Sequence, residues 1–436
     1  MRKKLRMKDA PEFHPESLMP AVGYVPDWSE GAVVPPIYLS TTYEPRTAQV
    51  AEKFFKALHG RINLAPEKIG LVYSRINNPN AEIDEDCLVV WEKGARAGAL
   101  FCSGMAAITT TLLTFLRPGD VILHSDTLYG GTDHFIKHDL AELGVEGIAI
   151  GPDKNFSDIE KIAAKKQLAG RIRVVYVETP GNPTNVLYDL ELFSKFAKHF
   201  SKTGRPVISI ADNTFLGPMW QHPLEHGIDL ALYSATKYIS GHSDATVGAV
   251  LGGEGLISEI KRKRIHMGTV AEPFSAWLVQ RSLQTLGLRV ERQLQNAIRI
   301  ADFLRFHPKI KQIHYPGLLA AGSEQRRIYK KQCLAPGAMI SFELFGGKKS
   351  AFRFLNNLTA SVLVGGRKKE VRIIKLAVSL GSTEWLASHP ATTTHMGVAA
   401  RDRKRLGISN GLIRLSVGVG EASDFITVIG NALQTA

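Results

Sequence analysis

Short apolar runs alternate with amphipathic stretches from about residue 80 to about residue 285. Strands of a parallel sheet are covered on both faces, so they consist of nearly continuous apolar residues, and helices connect them. The alternation therefore predicts an α/β fold with a mostly parallel sheet covered by helices. The predicted strands are Gly98–Cys102, Asp120–His124, Val145–Ile150, Arg173–Glu178, Val207–Ala211, Asp229–Ser234 and Ala245–Leu251.

The chain on either side of this region has different patterns. The prolines of residues 1–77 exclude long helices and predict an extended N-terminal arm, with one helix expected at Ala48–Leu58. Residues 78–285 form the predicted large domain, and a single amphipathic helix, Phe274–Asp302, is expected to lead out of it. Residues 286–436 predict a smaller C-terminal α/β domain, with strands at Ala338–Phe345, Ile374–Val378 and Leu412–Ser416.

The composition of the chain indicates in which cellular compartment the protein is expected. No apolar run reaches transmembrane length, and the basic start, Met1–Arg6, has no apolar stretch behind it, so we expect neither a membrane span nor a signal peptide. The three cysteines, Cys87, Cys102 and Cys333, are too few and too widely spaced for a disulfide framework. A reducing, cytoplasmic location is therefore expected.

The formal net charge of +13 raises the question of a nucleic-acid partner. The basic clusters are scattered, with no recognition module between them, which favours solubility and attraction for small anions. No nucleic-acid or membrane partner is predicted. The clusters are Arg2–Lys8, Lys261–Arg264, Arg367–Lys369 and Arg401–Arg405.

Two pairs of histidines are candidate metal ligands. Proline follows His222 in the pair with His226, and Pro390 separates His389 from His395. Neither pair has an evident third ligand, so no metal site is predicted.

A lysine after a predicted strand is the strongest chemical signal. Ser234-Ala235-Thr236-Lys237 follows the run Asp229–Ser234, and Asp212 ends the strand before it. Carboxyl ends of parallel strands converge on one crevice, so we expect Lys237 and Asp212 to meet. An enzyme that uses pyridoxal 5'-phosphate (PLP) needs a lysine for the Schiff base and a carboxylate beside the pyridine nitrogen. Ser234 and Thr236 supply hydroxyls for its phosphate.

Other strand ends add candidates for the same crevice. Ser103, Gly104 and Met105 open a helix whose amides can approach a phosphate, although a plain strand-to-helix turn has the same pattern. Tyr129 can stack on the pyridine ring or be an ordinary surface tyrosine. Glu178 can support the site.

Two further groups concern the ring and the substrate. Asn182 can donate a hydrogen bond to a ring oxygen of the cofactor. Arg414 lies in a late apolar strand, where a substrate α-carboxylate or a structural ion pair would satisfy it. Ser379-Leu380-Gly381 can line the same pocket.

Together these motifs resemble the trans-sulfuration (Cys/Met metabolism) family of PLP enzymes, which includes cystathionine γ-synthase, cystathionine γ- and β-lyases and methionine γ-lyase. The resemblance runs over nearly the whole chain, from Val34–Ile37 to Arg414–Gly418. Its motifs are Tyr73–Arg75 with Asn78-Pro79, Ser103–Met105, Tyr129–Thr132, Glu178–Pro180, Asp212–Thr214, Ser234–Lys237 with Gly241-His242, Ser379–Gly381 and Arg414–Ser416.

The resemblance implies a fold-type I PLP-dependent transferase-like architecture and a homotetramer built from two dimers with shared active sites. It implies that Tyr73 and Arg75 reach the phosphate of the neighbouring subunit, and that Tyr129 assists proton transfer. Ser379 would orient Lys237, which would both carry PLP and shuttle protons. Asn182 and Arg414 would bind the substrate carboxylate, and Gly104, Met105, Ser234 and Thr236 the local phosphate.

Three positions bear on the reaction within that family. Methionine γ-lyases typically have cysteine at the position of Gly131, which disfavours methionine γ-lysis. Many bacterial β-lyases have tryptophan at the position of Leu380, so the γ branch is favoured. Glu384 matches an acidic position that cystathionine enzymes use near the distal end of the substrate. The segment Phe54–Leu71 is longer than usual for the family.

The predicted function is elimination by a PLP-dependent carbon–sulfur lyase on cystathionine or a related sulfur amino acid, in methionine and cysteine metabolism. The alternatives are γ-replacement on an activated homoserine ester, as in cystathionine γ-synthase, and methionine γ-lysis. An alternative from another class is a non-catalytic basic binding protein on the same scaffold.

Overall fold

The computed structural model describes residues 13–58, 60–62, 70–201 and 205–436. The basic cluster Arg2–Lys8 and a part of the long segment Phe54–Leu71 (residues 59 and 63–69) lie outside these ranges. The α-helices of the described residues are α1 (Pro15–Leu18), α2 (Ala48–Leu58), α3 (Pro79–Trp91), α4 (Gly104–Phe115), α5 (Gly130–His134), α6 (Leu140–Glu142), α7 (Phe156–Lys165), α8 (Leu190–Phe200), α9 (Gly217–Trp220), α10 (Glu254–Met267), α11 (Pro273–Leu283), α12 (Leu286–Arg305), α13 (Glu324–Gln332), α14 (Gly347–Asn356), α15 (Ala400–Arg405) and α16 (Ala422–Thr435).

Short turns of other helix types complete this set. A π-helical turn, Phe135–Asp139, continues α5. The 3₁₀ turns are Pro26–Ser29, Pro223–His226, Pro316–Leu318 and Pro390–Thr392.

The strands form a seven-stranded sheet, a five-stranded sheet and a separate hairpin. The strands of the seven-stranded sheet are β1 (Ala97–Phe101), β2 (Val121–Ser125), β3 (Glu146–Ile150), β4 (Ile172–Glu178), β5 (Ile208–Asp212), β6 (Leu230–Tyr233) and β7 (Gly248–Gly252). Those of the C-terminal part are β8 (Ile310–His314), β9 (Met339–Leu344), β10 (Thr359–Val364), β11 (Arg367–Arg372), β12 (Ile374–Leu376), β13 (Trp385–Ser388) and β14 (Leu412–Ser416).

The seven-stranded sheet has the order β1-β7-β6-β5-β4-β2-β3. Strands β2 to β6 pair in parallel, and β7 is antiparallel to both of its neighbours. The prediction of a mostly parallel sheet is confirmed, and each of its seven predicted strands lies within three residues of its bounds in the structure.

Helices cover both faces of this sheet, as the side chains of β4 demonstrate. Val174 and Tyr176 belong to a hydrophobic core that includes residues of α4 and α10. Val175 and Val177 belong to a second core, which includes residues of α7 and α8. Because successive strand residues point to opposite faces, an apolar run of this kind requires cover on both sides.

The C-terminal part is an α/β unit around the five-stranded sheet, in the order β12-β13-β14-β9-β8. The three strands predicted here exist, with bounds that agree for β14 and are shorter for β9 and β12. Strands β8, β10, β11 and β13 were not predicted. The divisions at 77/78 and 285/286 stay predictions.

The single helix predicted over Phe274–Asp302 is wrong, because the chain forms α11 and α12 with a break at Gln284-Thr285. At the break the buried Arg289 side chain donates to the carbonyl of Ser282 at 3.0 Å and to the hydroxyl of Thr285 at 3.2 Å. The bond to Ser282 gives a carbonyl in the last turn of α11 a side-chain partner.

The predicted arm helix is confirmed as α2, whereas the rest of the described arm has only short turns and helix α1. Within the described ranges, no helix has both the length and the apolarity that a bilayer crossing needs.

Candidate active site

The predicted lysine lies where the carboxyl ends of the parallel strands converge. Lys237 follows β6, and its Nζ donates a hydrogen bond to Ser379 Oγ at 3.0 Å. Burial, and then the nearby positive charge of Arg414, lower the pKa of Lys237 to about 8. Near neutral pH such an amine is neutral far more often than the amine of an exposed lysine, and a nucleophile or base must be neutral.

Asp212 ends β5, the strand next to β6, and is buried. Thr214 donates to its Oδ1 through the hydroxyl at 2.6 Å and the backbone amide at 3.0 Å, and Tyr176 donates to Oδ2 at 3.3 Å. Burial nevertheless raises the pKa of Asp212. A cationic group beside this carboxylate, such as a protonated pyridine nitrogen, would favour its ionised form.

The start of α4 forms a cradle for an anion. Ser103 caps the helix by accepting a hydrogen bond from the amide of Ala106 at 3.0 Å. A Cβ at Gly104 would lie 2.7 Å from Ser234 Oγ, so only glycine leaves room between the helix start and this hydroxyl. The amides of a helix N-terminus favour a phosphate, and Met105 follows in the same turn.

Thr236, the second predicted phosphate hydroxyl, is engaged with the backbone. Its Oγ1 donates to the carbonyl of Val247 at 3.1 Å and accepts from the amide of Val247 at 2.8 Å. Its role in phosphate binding stays a prediction, whereas the structure assigns this hydroxyl to the loop before β7.

Glu178 holds two of the predicted site residues. Its buried carboxylate accepts from the amide of Tyr129 at 2.6 Å and from the amide of Asn182 at 3.2 Å. Burial, and then the charge of Asp212, raise the pKa of Glu178 well above its usual range. These bonds agree with the expectation that Glu178 supports the site. Tyr129 itself is 42% exposed at the crevice.

Gly131 lies beneath that ring. A Cβ at this position would be 2.7 Å from Tyr129 Cε1 and 3.0 Å from Met105 Sδ. A side chain at position 131 would therefore move the tyrosine or the methionine.

Arg414 is a buried cation in the middle of β14. It donates to Asn182 Oδ1 at 3.1 Å and to the carbonyls of Val378 and Ser379 at 2.6 and 3.2 Å. No carboxylate pairs with it among the residues that the structure describes. Desolvation lowers the pKa of Arg414 to about 10. A buried guanidinium without an anion is costly, which favours an anionic ligand over the structural ion pair.

The loop after Lys237 is fixed by Arg289. The guanidinium donates to the carbonyls of Tyr238 at 2.9 Å and Ile239 at 3.2 Å. Gly241, at φ +68°, has no room for a Cβ because that atom would overlap the guanidinium. Arg289 thereby connects the backbone after the lysine to the break between α11 and α12.

Two predicted groups lie apart from these bonds. Tyr73 and Arg75 are exposed; Arg75 donates to the carbonyl of Ile265 in α10 at 2.9 Å, and its guanidinium carbon lies 5.5 Å from the Tyr73 ring centre. Glu384 accepts from Ser243 at 3.3 Å and lies 3.9 Å from Lys375 Nζ. The structure gives neither group a contact with Lys237 or Arg414 among its described hydrogen bonds and ion pairs.

Sequence reasoning assigned no role to Thr214, Tyr176 and Arg289. Thr214 could have been found, since a hydroxyl two residues after a carboxylate is a common local hydrogen-bond pattern. Tyr176 had a weaker signal, a polar tip within an apolar strand. Arg289 had none, because it lay within a stretch that was interpreted as one continuous helix.

The residues present fit PLP. A partly buried amine with a lowered pKa, a carboxylate whose pKa burial raises, and a glycine cradle at a helix start match an aldehyde, a pyridine nitrogen and a phosphate respectively. The buried arginine adds a place for an amino-acid carboxylate.

Comparisons with known proteins agree with this chemistry. A model of the family described as "Cys/Met metabolism PLP-dependent enzyme" matches residues 18–434. The L-methionine γ-lyase of Pseudomonas putida is 38% identical over 95% of this chain and 96% of that protein. The human cystathionine γ-lyase is 34% identical over 95% of this chain and 92% of that protein.

Solved structures agree as well. The cystathionine γ-synthase from Xanthomonas oryzae pv. oryzae, solved in complex with aminoacrylate and cysteine, superposes with a TM-score of 0.83 at 31% identity. The match covers 98% of this chain and 99% of that one.

Proposed function

This chain belongs to the Cys/Met metabolism family of PLP-dependent enzymes, and we propose that it breaks the Cγ–S bond of L-cystathionine or a related sulfur amino acid by elimination. PLP is its cofactor and carbon–sulfur bond cleavage is its reaction class. Two observations support the γ position: Leu380 stands where many bacterial β-lyases of the family have tryptophan, and relatives of this chain include L-methionine γ-lyase and cystathionine γ-lyase.

The observation that carries the proposal is the buried Arg414 guanidinium in one hydrogen-bonded group with the catalytic lysine. Ser379 joins them, because its carbonyl accepts from Arg414 and its hydroxyl accepts from Lys237 Nζ. An α-carboxylate bound by Arg414 and Asn182 would therefore place the α-carbon of an amino acid near Lys237.

Each residue then has a defined task. PLP, when bound, supplies the electron sink that makes the α-carbon of the substrate acidic. Lys237 Nζ would hold the cofactor and act as the base for the α-proton, while Ser379 would orient it. Asp212 would lie beside the ring nitrogen, and Tyr129 would stack on the ring and assist proton transfer. Ser103, Gly104, Met105, Ser234 and Thr236 would hold the phosphate, and for this the Thr236 hydroxyl would have to leave Val247.

Product identification tests the proposal. We expect the PLP-loaded protein to convert L-cystathionine to 2-oxobutyrate, cysteine and ammonia, measured by chromatography of both carbon products. Pyruvate with homocysteine would instead establish β-elimination and contradict the γ assignment. The Lys237→Ala variant is the control for products that form without the enzyme.

L-Methionine is the second candidate substrate, because a methionine γ-lyase is 38% identical to this chain. It ranks second since Gly131 stands where such enzymes typically have cysteine, and a side chain there would press on Tyr129. Methanethiol release faster than cystathionine cleavage, compared as kcat/KM, would reverse the order.

The third candidate is γ-replacement, which the likeness to a cystathionine γ-synthase favours. An activated homoserine ester and cysteine would be its substrates. Formation of cystathionine from this pair, without cleavage of cystathionine, would identify a synthase.

We further propose a cytoplasmic homotetramer with active sites shared between paired subunits. The exposure of Tyr73 and Arg75 supports this, because both side chains are available to a neighbouring molecule. Light scattering after gel filtration tests the mass. Mixed oligomers of Arg75→Ala and Lys237→Ala chains should regain activity that neither variant has alone; no recovery in mixed oligomers would contradict the shared site.

A further inference from the structure

A segment between two strands of the five-stranded sheet lies against the candidate active site. We call residues 389–411, which connect β13 to β14, the strap. The Thr394 carbonyl of the strap packs closely against Gly130, since a Cβ added to Gly130 would lie only 2.6 Å from that oxygen. Arg405 of the strap forms an ion pair with Asp126, which directly follows β2. The strap therefore starts and ends in one sheet and contacts the strand-end loops of the other.

His395 is the residue of the strap that reaches a substrate-binding candidate. It is buried, with 2% of its surface exposed. Its Nε2 lies 3.2 Å from the carbonyl oxygen of Asn182, and its Nδ1 lies 2.9 Å from Thr394 Oγ1. A carbonyl oxygen only accepts, so Nε2 carries the proton and Nδ1 accepts from the Thr394 hydroxyl.

The neutral imidazole is the favoured form at this place. Burial, and then the charge of Arg414, lower the pKa of His395 to about 4. In the neutral form Nδ1 accepts from the Thr394 hydroxyl, which leaves the single ring proton on Nε2 for Asn182.

Asn182 is held from three sides. The Glu178 carboxylate accepts from the backbone amide of Asn182, and His395 donates to its backbone carbonyl. Arg414 donates to the side-chain oxygen, Oδ1. Within the described residues, its Nδ2 has no hydrogen-bond partner, so this donor is available to a ligand beside the Arg414 guanidinium. The orientation of Nδ2 depends on the backbone that Glu178 and His395 fix.

We propose that His395 is a positioning residue of the carboxylate site, which fixes the Asn182 backbone so that Asn182 Nδ2 and Arg414 act on the same substrate carboxylate. This inference rests on the carboxylate site of the proposed function. His395 does not touch the reacting atoms, and its effect passes through Asn182.

Two substitutions separate this role from simple packing. His395→Gln extends an amide nitrogen to the place of Nε2 and can still donate to Asn182. His395→Asn keeps a polar group near Thr394 but is too short to reach Asn182. Both variants are polar and smaller than or similar to histidine, so they form a matched pair.

The measurement is the dissociation constant of the PLP-loaded enzyme for L-norleucine, by spectral titration, with L-norleucinamide as the ligand without a carboxylate. L-Norleucine has no C–S bond, so binding reaches equilibrium without cleavage. We expect His395→Asn to weaken L-norleucine binding about tenfold, as the loss of one buried hydrogen bond predicts, and His395→Gln by less than about threefold. Binding of L-norleucinamide should be the same in both variants.

Equal weakening of both ligands by His395→Asn, or no difference between the two variants, would overturn the proposal. Should His395→Asn fail to fold, Thr394→Val replaces it, since it removes the hydroxyl that orients the imidazole; selective weakening of L-norleucine supports the proposal and unselective weakening refutes it. The proposed function has a separate outcome. A wild-type enzyme that prefers L-norleucine over its amide but cleaves no sulfur amino acid would refute the lyase and leave the role of His395 decided by the variants.

Discussion

The cofactor end and the substrate end of the candidate site are built in different ways. At the cofactor end, Asp212 ends β5, and Gly104 and Lys237 follow the ends of β1 and β6 in the same sheet. At the substrate end, Arg414 and Asn182 come from different sheets and meet through side-chain hydrogen bonds. Sheet topology thus fixes the first set, and a few polar bonds fix the second. Substitutions should therefore separate cofactor retention from substrate binding.

The largest effect is expected from Lys237→Ala, which removes the amine that we propose holds the cofactor and moves the proton. Turnover should fall by on the order of a thousandfold or more, and the visible absorbance of covalently held PLP should disappear. Stopped assays measure the turnover, and absorbance spectra measure the covalently held PLP. Retained turnover would contradict the role of Lys237 at the cofactor end of the site.

Asp212→Asn should have the next largest effect, about a hundredfold in kcat, because an amide cannot stabilise a positive ring nitrogen. L-Norleucine binding should change far less, since the substrate end is intact. Thr214→Val is the matched control, because it keeps the carboxylate and removes a hydroxyl that donates to Asp212 and accepts from the Ser234 amide at 2.9 Å; it should cost about tenfold or less. A larger loss from Thr214→Val than from Asp212→Asn would contradict the assignment.

Arg414→Gln tests whether the charge of Arg414, at the substrate end, affects Lys237 at the cofactor end. The positive guanidinium disfavours a protonated Lys237, so its removal should raise the lysine pKa above the value of about 8, although burial still keeps it below that of an exposed lysine. Only the neutral amine captures PLP, so the pH at which the cofactor-free protein binds PLP at half the maximal rate should move upward.

Arg414→Lys is the control, because it keeps the charge but loses the two-pronged geometry. It should leave that pH profile nearly unchanged while weakening L-norleucine binding about tenfold or more. A profile that shifts equally in both variants would refute the electrostatic link.

The smallest effect is expected from Glu384→Gln. The Glu384 side chain is 32% exposed and lies 3.9 Å from Lys375 Nζ, so water screens its charge. If it meets the distal end of cystathionine, KM for cystathionine should rise about threefold while KM for methionine stays unchanged. Equal changes for both substrates would remove Glu384 from the substrate end.

The same contrast explains how much could be predicted from the sequence. The strand ends carry Asp212 and Lys237 within apolar runs, and the convergence of parallel strands brings them together without knowledge of packing. The pairing of Arg414 with Asn182 was available only through family resemblance, because 232 positions separate them and no local pattern reports such a contact.

Three other features could not be predicted from local sequence patterns, each for a physical reason. Strand β11 contains Arg367-Lys368-Lys369 and is exposed throughout, so it lacks the alternation that marks a half-buried strand. Neither glycine nor proline stands at Gln284-Thr285, the break before α12, and the bonds that the Arg289 side chain forms there have no local sequence pattern. His395 was considered only as a metal ligand, whereas its partner is a backbone carbonyl, a group that every residue carries.

The strap also determines how the molecule responds to being cut. Met396 is 70% exposed in it, and exposed loop positions are the usual sites of proteolytic nicking. A cut there would put Asn182 and Arg414 on separate polypeptides. Yet β14 of the smaller fragment pairs with both β13 and β9 of the larger one, so the sheet would hold the two pieces together. The protein is therefore a natural candidate for a split enzyme, assembled from two chains that each carry half of a carboxylate site.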